Sequence, residues 1–236
     1  MLTREALREQ PRHSLWRRLS TYSFTTQKIS RPIIREFVAA HATSAHTLVL
    51  HPEEGLEHFP DRFVISKREW DKPDLLMDVG FEGLSAVGDE SFDMILCVGL
   101  LEHIPDPQPF IDHLHRILRP GGQVLITCSS TFSLHEGPHD YFRFTVFGMR
   151  QLLRGWRQID VLRGSCGPFT TIGILLQRIL MQSEISPPLR PCLEVLVHVF
   201  PKLDRFVTHQ YATASRTPGT ECDSVLPSNL QVVATK

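Results

Sequence analysis

The chain is short of several things that would assign a class outright. Its five cysteines (Cys97, Cys128, Cys166, Cys192 and Cys222) are scattered over 236 residues with no CxxC pair. That removes a disulfide framework and a thiolate zinc site, and with no signal-peptide pattern it leads to the expectation of a cytoplasmic setting. Long apolar runs are missing as well. The stretches 172–181 and 192–200 are broken by Arg178, Glu194 and His198, and both fall below the ~18 residues a bilayer demands. Net charge is close to nil, at -1, which gives no bulk reason to expect nucleic acid as a partner. The basic residues are nevertheless uneven. Arg4, Arg8, Arg12, Arg17, Arg18, Lys28, Arg31 and Arg35 face only Glu5, Glu9 and Glu36 in the first 36 positions. A solvated helical face explains this; weak contact with an anionic membrane surface is the functional alternative.

What is present is an alternation of buried-strand runs with helical periodicity, the pattern of βαβ units on a mostly parallel sheet. Strands are expected at 47–50, 62–65, 92–98, 123–128, 158–163 and 230–234. The clearest helix starts at Asp106 and Pro107, repeats Phe110, Ile111, Leu114, Ile117 and Leu118 at three and four residues, and stops at Pro120-Gly121-Gly122. Another helix is expected at 146–154. Between 165 and 228, Pro168, Pro187, Pro188, Pro191, Pro201 and Pro218 interrupt apolar helical pieces, read as an inserted cap of helices at 171–181 and 193–200. The expected division is an N-terminal helical arm over 1–40, an α/β core over 41–164, the cap over 165–228 and a last core strand over 229–236.

The block 88–127 carries the most specific pattern. Phe92-Asp93 leads a strand, Leu101-Glu102-His103 follows it, and Arg116, Leu118 and Pro120-Gly121-Gly122 close the helix before the next strand. With these features the chain resembles class I S-adenosylmethionine-dependent methyltransferases of the type 11 kind, and the segment 135–145 (HEGPHDYFRFT) is similar to a signature of bacterial members encoded beside glycan-modifying enzymes. The resemblance implies a Rossmann-like, doubly wound, mostly parallel seven-stranded sheet with a helical insertion before the last strand. It also implies S-adenosylmethionine as cofactor and S-adenosylhomocysteine as product.

Carried onto this chain, the resemblance points to Gly55, Glu53, Asp78, Val79, Val98, Leu100 and His103 as cofactor-binding residues. Asp78 would take the acidic position that meets the adenine amine. The glycine loop is degenerate: with Gly55 as its last glycine, His51 and Glu53 stand at the other two glycine positions and Val49 at the acidic one. The strand over 62–65 runs into Ser66-Lys67-Arg68, where the family has an acid for the ribose hydroxyls.

Methyl transfer to a hydroxyl benefits from a base with a pKa near neutral. The candidates are His139 and His135, with Asp140; Tyr141 and Arg143 are the candidates for holding a polar or anionic substrate. The alternative role of this segment is to anchor the next helix through an ion pair between Asp140 and Arg143. No metal is expected, because His113 and His115 point apart on a helix and His135 and His139 flank Gly137-Pro138, which opposes a helix. The function expected is methylation of a small polar acceptor (a sugar, a glycolipid or a natural-product hydroxyl). The alternative is an inactive pseudo-methyltransferase that serves as a binding or scaffolding subunit.

Overall fold

The computed structural model describes residues 27–52, 55–80 and 83–236. The first 26 residues, and with them most of the basic arm, lie outside the described part, as does Glu53. The described chain forms one seven-stranded sheet: β1 (Thr47–Leu50), β2 (Arg62–Ser66), β3 (Leu75–Leu76), β4 (Phe92–Val98), β5 (Leu118–Ser129), β6 (Gln158–Gly164) and β7 (Asn229–Thr235). Their order is β3-β2-β1-β4-β5-β7-β6. The pairs β1/β2, β1/β4, β2/β3 and β4/β5 are parallel, and β7 runs antiparallel to both β5 and β6. The sheet is therefore mostly parallel, with its order reversing between β1 and β4.

The central strands are apolar on both faces because both faces are covered. Leu48 and Leu50 of β1 join Ile95 and Cys97 of β4 on one side, whereas Val49 joins Met94, Leu96 and Val98 on the other. Helix α1 (Ser30–Ala39) covers the second side with Phe37 and Val38; α2 (Pro107–Ile117) covers the first with Phe110, Ile111, Leu114 and Ile117. Cys97 and Cys128 are buried core thiols whose pKa burial pushes far up.

Several boundaries differ from the sequence expectation. Asp106 does precede α2, but its side chain makes no capping hydrogen bond. β5 starts at Leu118, so the Pro-Gly-Gly stretch lies inside the strand as an irregularity, with Leu118 opposite Phe92 and Gln123 opposite Met94. Gly121 there has φ +80, a conformation glycine adopts without strain. Helix α3 (Val146–Leu152) begins where the Thr145 hydroxyl accepts the Gly148 N–H. The strand β3 has only two residues, both exposed, too short to leave a periodic signal.

Two longer helices follow β6: α4 (Pro168–Gln182) and α5 (Arg190–Leu203). They pack closely at Gly173, where an added methyl would stand 3.1 Å from the Val197 carbonyl oxygen and 3.1 Å from Pro201 Cδ. Asp204, just beyond α5, accepts the N–H groups of Phe169 and Thr170 at the start of α4. Pro201 does not end α5, contrary to the sequence expectation. It forfeits one N–H near the helix end, and Val197, whose carbonyl would have received it, packs toward Gly173. Ile179, Met181, Val195, Val199 and Phe206 stay exposed on this pair. Among the described residues no helix is long and apolar enough to cross a membrane.

Candidate active site

Open parallel sheets place ligands beyond the carboxyl ends of their strands, where strand order reverses. Two adjoining hollows lie there. The first, of about 190 Å³, is lined by the ends of β1 and β2 (His51, Ile65, Ser66, Lys67), by the chain after β3 (Met77 to Gly80) and by Leu100, His103 and Ile104 after β4. The second, of about 330 Å³, includes Val98, Gly99, Glu102, Ser129 and His135 together with Lys28, Arg31, Arg68 and Arg178. His51, His103 and Glu136 belong to both walls.

The first hollow has an apolar slot formed by Ile65, Met77, Leu100 and Ile104, with Asp78 and Val79 at its side. Asp78 accepts the Gly80 N–H at 3.1 Å through Oδ1, and its Oδ2 lies 3.5 Å from Lys67 Nζ. At the end of β2 no carboxylate takes the ribose position; Ser66 is there, and its hydroxyl donates to Asp71 at 2.6 Å.

His51 follows β1 directly, with φ +57, and Gly55 has φ +96. The loop thus keeps left-handed turns at two of the three family glycine positions, although one now carries an imidazole. A non-glycine residue held there costs on the order of 1–3 kcal/mol. Arg68 packs against the His51 ring, 2.8 Å from Nδ1. Burial and then the Arg68 charge lower the His51 pKa to about 4, so the ring is neutral near pH 7.

The turn after β4 is tied down from two sides. Glu102 is buried and its Oε1 accepts both the N–H (3.2 Å) and the hydroxyl (2.6 Å) of Ser129 at the end of β5. Its carbonyl accepts the N–H groups of Tyr141 and Phe142, and His103 Nδ1 donates to the His139 carbonyl at 2.6 Å. The segment around 133–142 is thereby held across the strand ends, with the ion pair of Asp140 and Arg143 at its centre.

That ion pair occupies most of Arg143, which also donates to the carbonyls of Phe132 and Ser133. Asp140 also accepts the His135 N–H at 2.8 Å, and its pKa is about 2, with burial opposing and the Arg143 hydrogen bond favouring ionisation. Both side chains serve the loop and line neither hollow. The two candidate histidines are split: His135 faces the second hollow, and His139 the first, where its Nδ1 lies 3.0 Å from the Tyr141 hydroxyl. His135 has its pKa lowered, chiefly by burial.

Sequence reasoning missed Ser66 and Lys67 as wall residues, and it missed the cationic lining of the second hollow. Arg178, alone in an apolar helical run, was the available signal. Lys28 has its pKa lowered by burial and by the nearby charges of Arg31 and Arg178, a mark of crowded positive charge.

Comparison with known proteins bears on the fold that positions these residues. Residues 66–126 match the family model described as "Methyltransferase domain". Over 88% of this chain and 93% of the other, the fold superposes on a SAM-dependent methyltransferase from Archaeoglobus fulgidus, with TM-score 0.52 and 13% identity. The chain has the class I methyltransferase fold. A methyltransferase from Haloferax volcanii, described as putative and solved with the Trm112 activator, superposes with TM-score 0.51 at 12% identity, covering 87% of this chain and 90% of that one. In sequence, 72 residues are 36% identical to the ubiquinone biosynthesis O-methyltransferase of Pseudomonas syringae, which is 30% of this chain and 28% of that protein. The corresponding protein of Psychrobacter cryohalolentis is 32% identical over 73 residues, 31% of this chain and 26% of its own. The chain thus spans less than a third of the curated relatives it matches. On this methyltransferase fold the matched stretch runs from the end of β2 into β5, and so includes Asp78, Leu100, Glu102 and His103.

Proposed function

We propose that the chain binds S-adenosylmethionine in the first hollow and directs its methyl group into the second, toward an oxygen of a small polar acceptor that carries negative charge. The observation that carries this reading is the pair of adjoining hollows at the switch in strand order, sharing His51 and His103. The donor set fits the adenine end: an apolar slot for the ring, with Asp78 and the backbone of Val79 beside it. The cofactor supplies a methyl group on a positively charged sulfur. The chain's own residues have to align the acceptor and keep water out.

Lys28, Arg31, Arg68 and Arg178 favour an anionic acceptor, such as a carboxylate- or phosphate-bearing sugar or natural product. His135, neutral and facing that hollow, is the group suited to receive the acceptor's proton at Nε2. His139 borders the cofactor end instead, with the Tyr141 hydroxyl beside its Nδ1.

Calorimetric titration with S-adenosylhomocysteine tests the reading, with binding in the micromolar to low millimolar range expected. His51→Gly clears the imidazole from the wall shared by both hollows and should tighten binding about tenfold, a change of ~1.4 kcal/mol. No heat from either protein at millimolar ligand ends the proposal. A second reading, a binding subunit without catalysis, draws on the His51 ring standing where the family has glycine and on Ser66-Lys67-Arg68 standing where it has the ribose acid. It is favoured if His51→Gly gains affinity while neither protein releases S-adenosylhomocysteine with any anionic hydroxyl acceptor.

A further inference from the structure

We infer that Glu102, His103 and His135 form a binding site for one divalent transition-metal ion in the wall of the second hollow. One ligand atom from each lies within 4.8 Å of the other two. A single tetrahedral ion with bonds of about 2.0–2.2 Å holds its ligands roughly 3.4 Å apart. Modest side-chain rotation closes that difference.

Three observations point to a cation there. First, both imidazoles are turned the same way. His103 Nδ1 donates to the His139 carbonyl at 2.6 Å, and His135 Nδ1 lies 3.2 Å from the Ser133 carbonyl and 3.5 Å from Asp140 Oδ2. Carbonyl and carboxylate partners on Nδ1 place the proton on that nitrogen and leave the lone pair on Nε2. This is the outer arrangement that orients metal-binding histidines.

Second, Glu102 is almost wholly buried, and while Oε1 is held by Ser129, Oε2 has no hydrogen-bond partner. A buried carboxylate oxygen left unpaired is costly.

Third, His135 Nε2, left with its lone pair by the partners of Nδ1, stands 3.8 Å from Glu102 Oε1. A lone pair facing a carboxylate is repulsive unless a positive charge sits between them.

Two neutral imidazoles and one carboxylate suit zinc, ferrous iron, cobalt or nickel, and not magnesium or calcium, which prefer all-oxygen shells. The charges around the site add a constraint. Glu136 lies on the same wall and Asp140 behind His135, against the cations Lys28, Arg31, Arg68 and Arg178. Those cations disfavour a bare ion and favour one bound together with an anion in its open positions. On the methyl-transfer reading that anion is the acceptor's oxygen, and the ion takes over the part of the bare His135 ring. The site itself does not depend on that reading.

The test is titration of chelator-stripped protein with Co²⁺, without S-adenosylmethionine, followed by visible absorption and by ion count in mass spectrometry. One ion per chain with nitrogen-ligand bands is expected. His103→Ala and His135→Ala, each confirmed folded by circular dichroism, should weaken binding by at least the roughly 10–100-fold that loss of a mere orienting partner costs. Glu102→Gln should do the same while keeping the acceptor for Ser129, and exposed His209→Ala should leave binding unchanged. Wild-type protein that takes up no ion, or uptake equal in all variants, overturns the inference. Because cofactor is left out, either result leaves the methyl-transfer reading to its own experiment.

Discussion

Among single residues, His51 departs most from what its position asks. It combines a left-handed backbone with a buried ring whose pKa is about 4 rather than 6.5. A group whose folded pKa lies below its unfolded value takes up a proton more readily when the chain unfolds, so acid favours unfolding. The stability owed to the neutral ring is complete above pH 6.5 and is lost as pH falls toward 4, by at most about 3 kcal/mol. His135 is shifted in the same direction. Asp140 behaves differently: with its pKa held at about 2, its contribution persists until pH drops below 3.8 and is lost toward 2. Urea midpoints at pH 7 and pH 4.5 should therefore differ, and the gap should narrow in His51→Gln, which has no proton to take up. An unchanged gap in that variant would show that His51 is not the titrating group. The motif around Glu102 and His103 could be recognised from sequence, as could the pair Asp140 and Arg143. The partners of His135 could not, because Glu102 lies 33 positions away and is brought near only by the parallel pairing of β4 with β5.

At the scale of elements, strands 47–50 and 92–98 coincide with the expected bounds, since continuous apolar runs between turn residues admit little else. The ends of α4 and α5 ran past their predicted limits because tertiary contacts outweigh local breakers: Asp204 caps α4 from outside, and Pro201 is tolerated in the last turn of α5. Gly173 is the contact on which the α4/α5 pair closes. Gly173→Ala should push the helices apart against the Val197 carbonyl and cost about 1–3 kcal/mol despite alanine's better helix propensity. Chemical denaturation measures this, and a variant as stable as the parent would mean that the helices part freely. The same pair supplies Arg178 to the second hollow, joining a packing feature to the lining of that wall.

For the whole molecule, any ligand that binds only the folded chain raises its melting temperature. At a hundredfold excess over Kd the gain is ~2.7 kcal/mol, which for a chain of this size corresponds to roughly 5–10 °C. S-adenosylhomocysteine should produce that shift in a thermal melt, and a flat response at millimolar ligand would place the cofactor elsewhere or nowhere on this fold. The sequence by itself determined the layered α/β architecture and the patterned block 88–127, because hydrophobic period and the Pro-Gly-Gly stop are local properties written into neighbouring residues. Only the tertiary structure decided which side chains share a wall. His51 meets Arg68, Glu102 meets His135, and Lys28 meets Arg178 through sheet order and helix docking, and those contacts have no period along the chain by which they could be read.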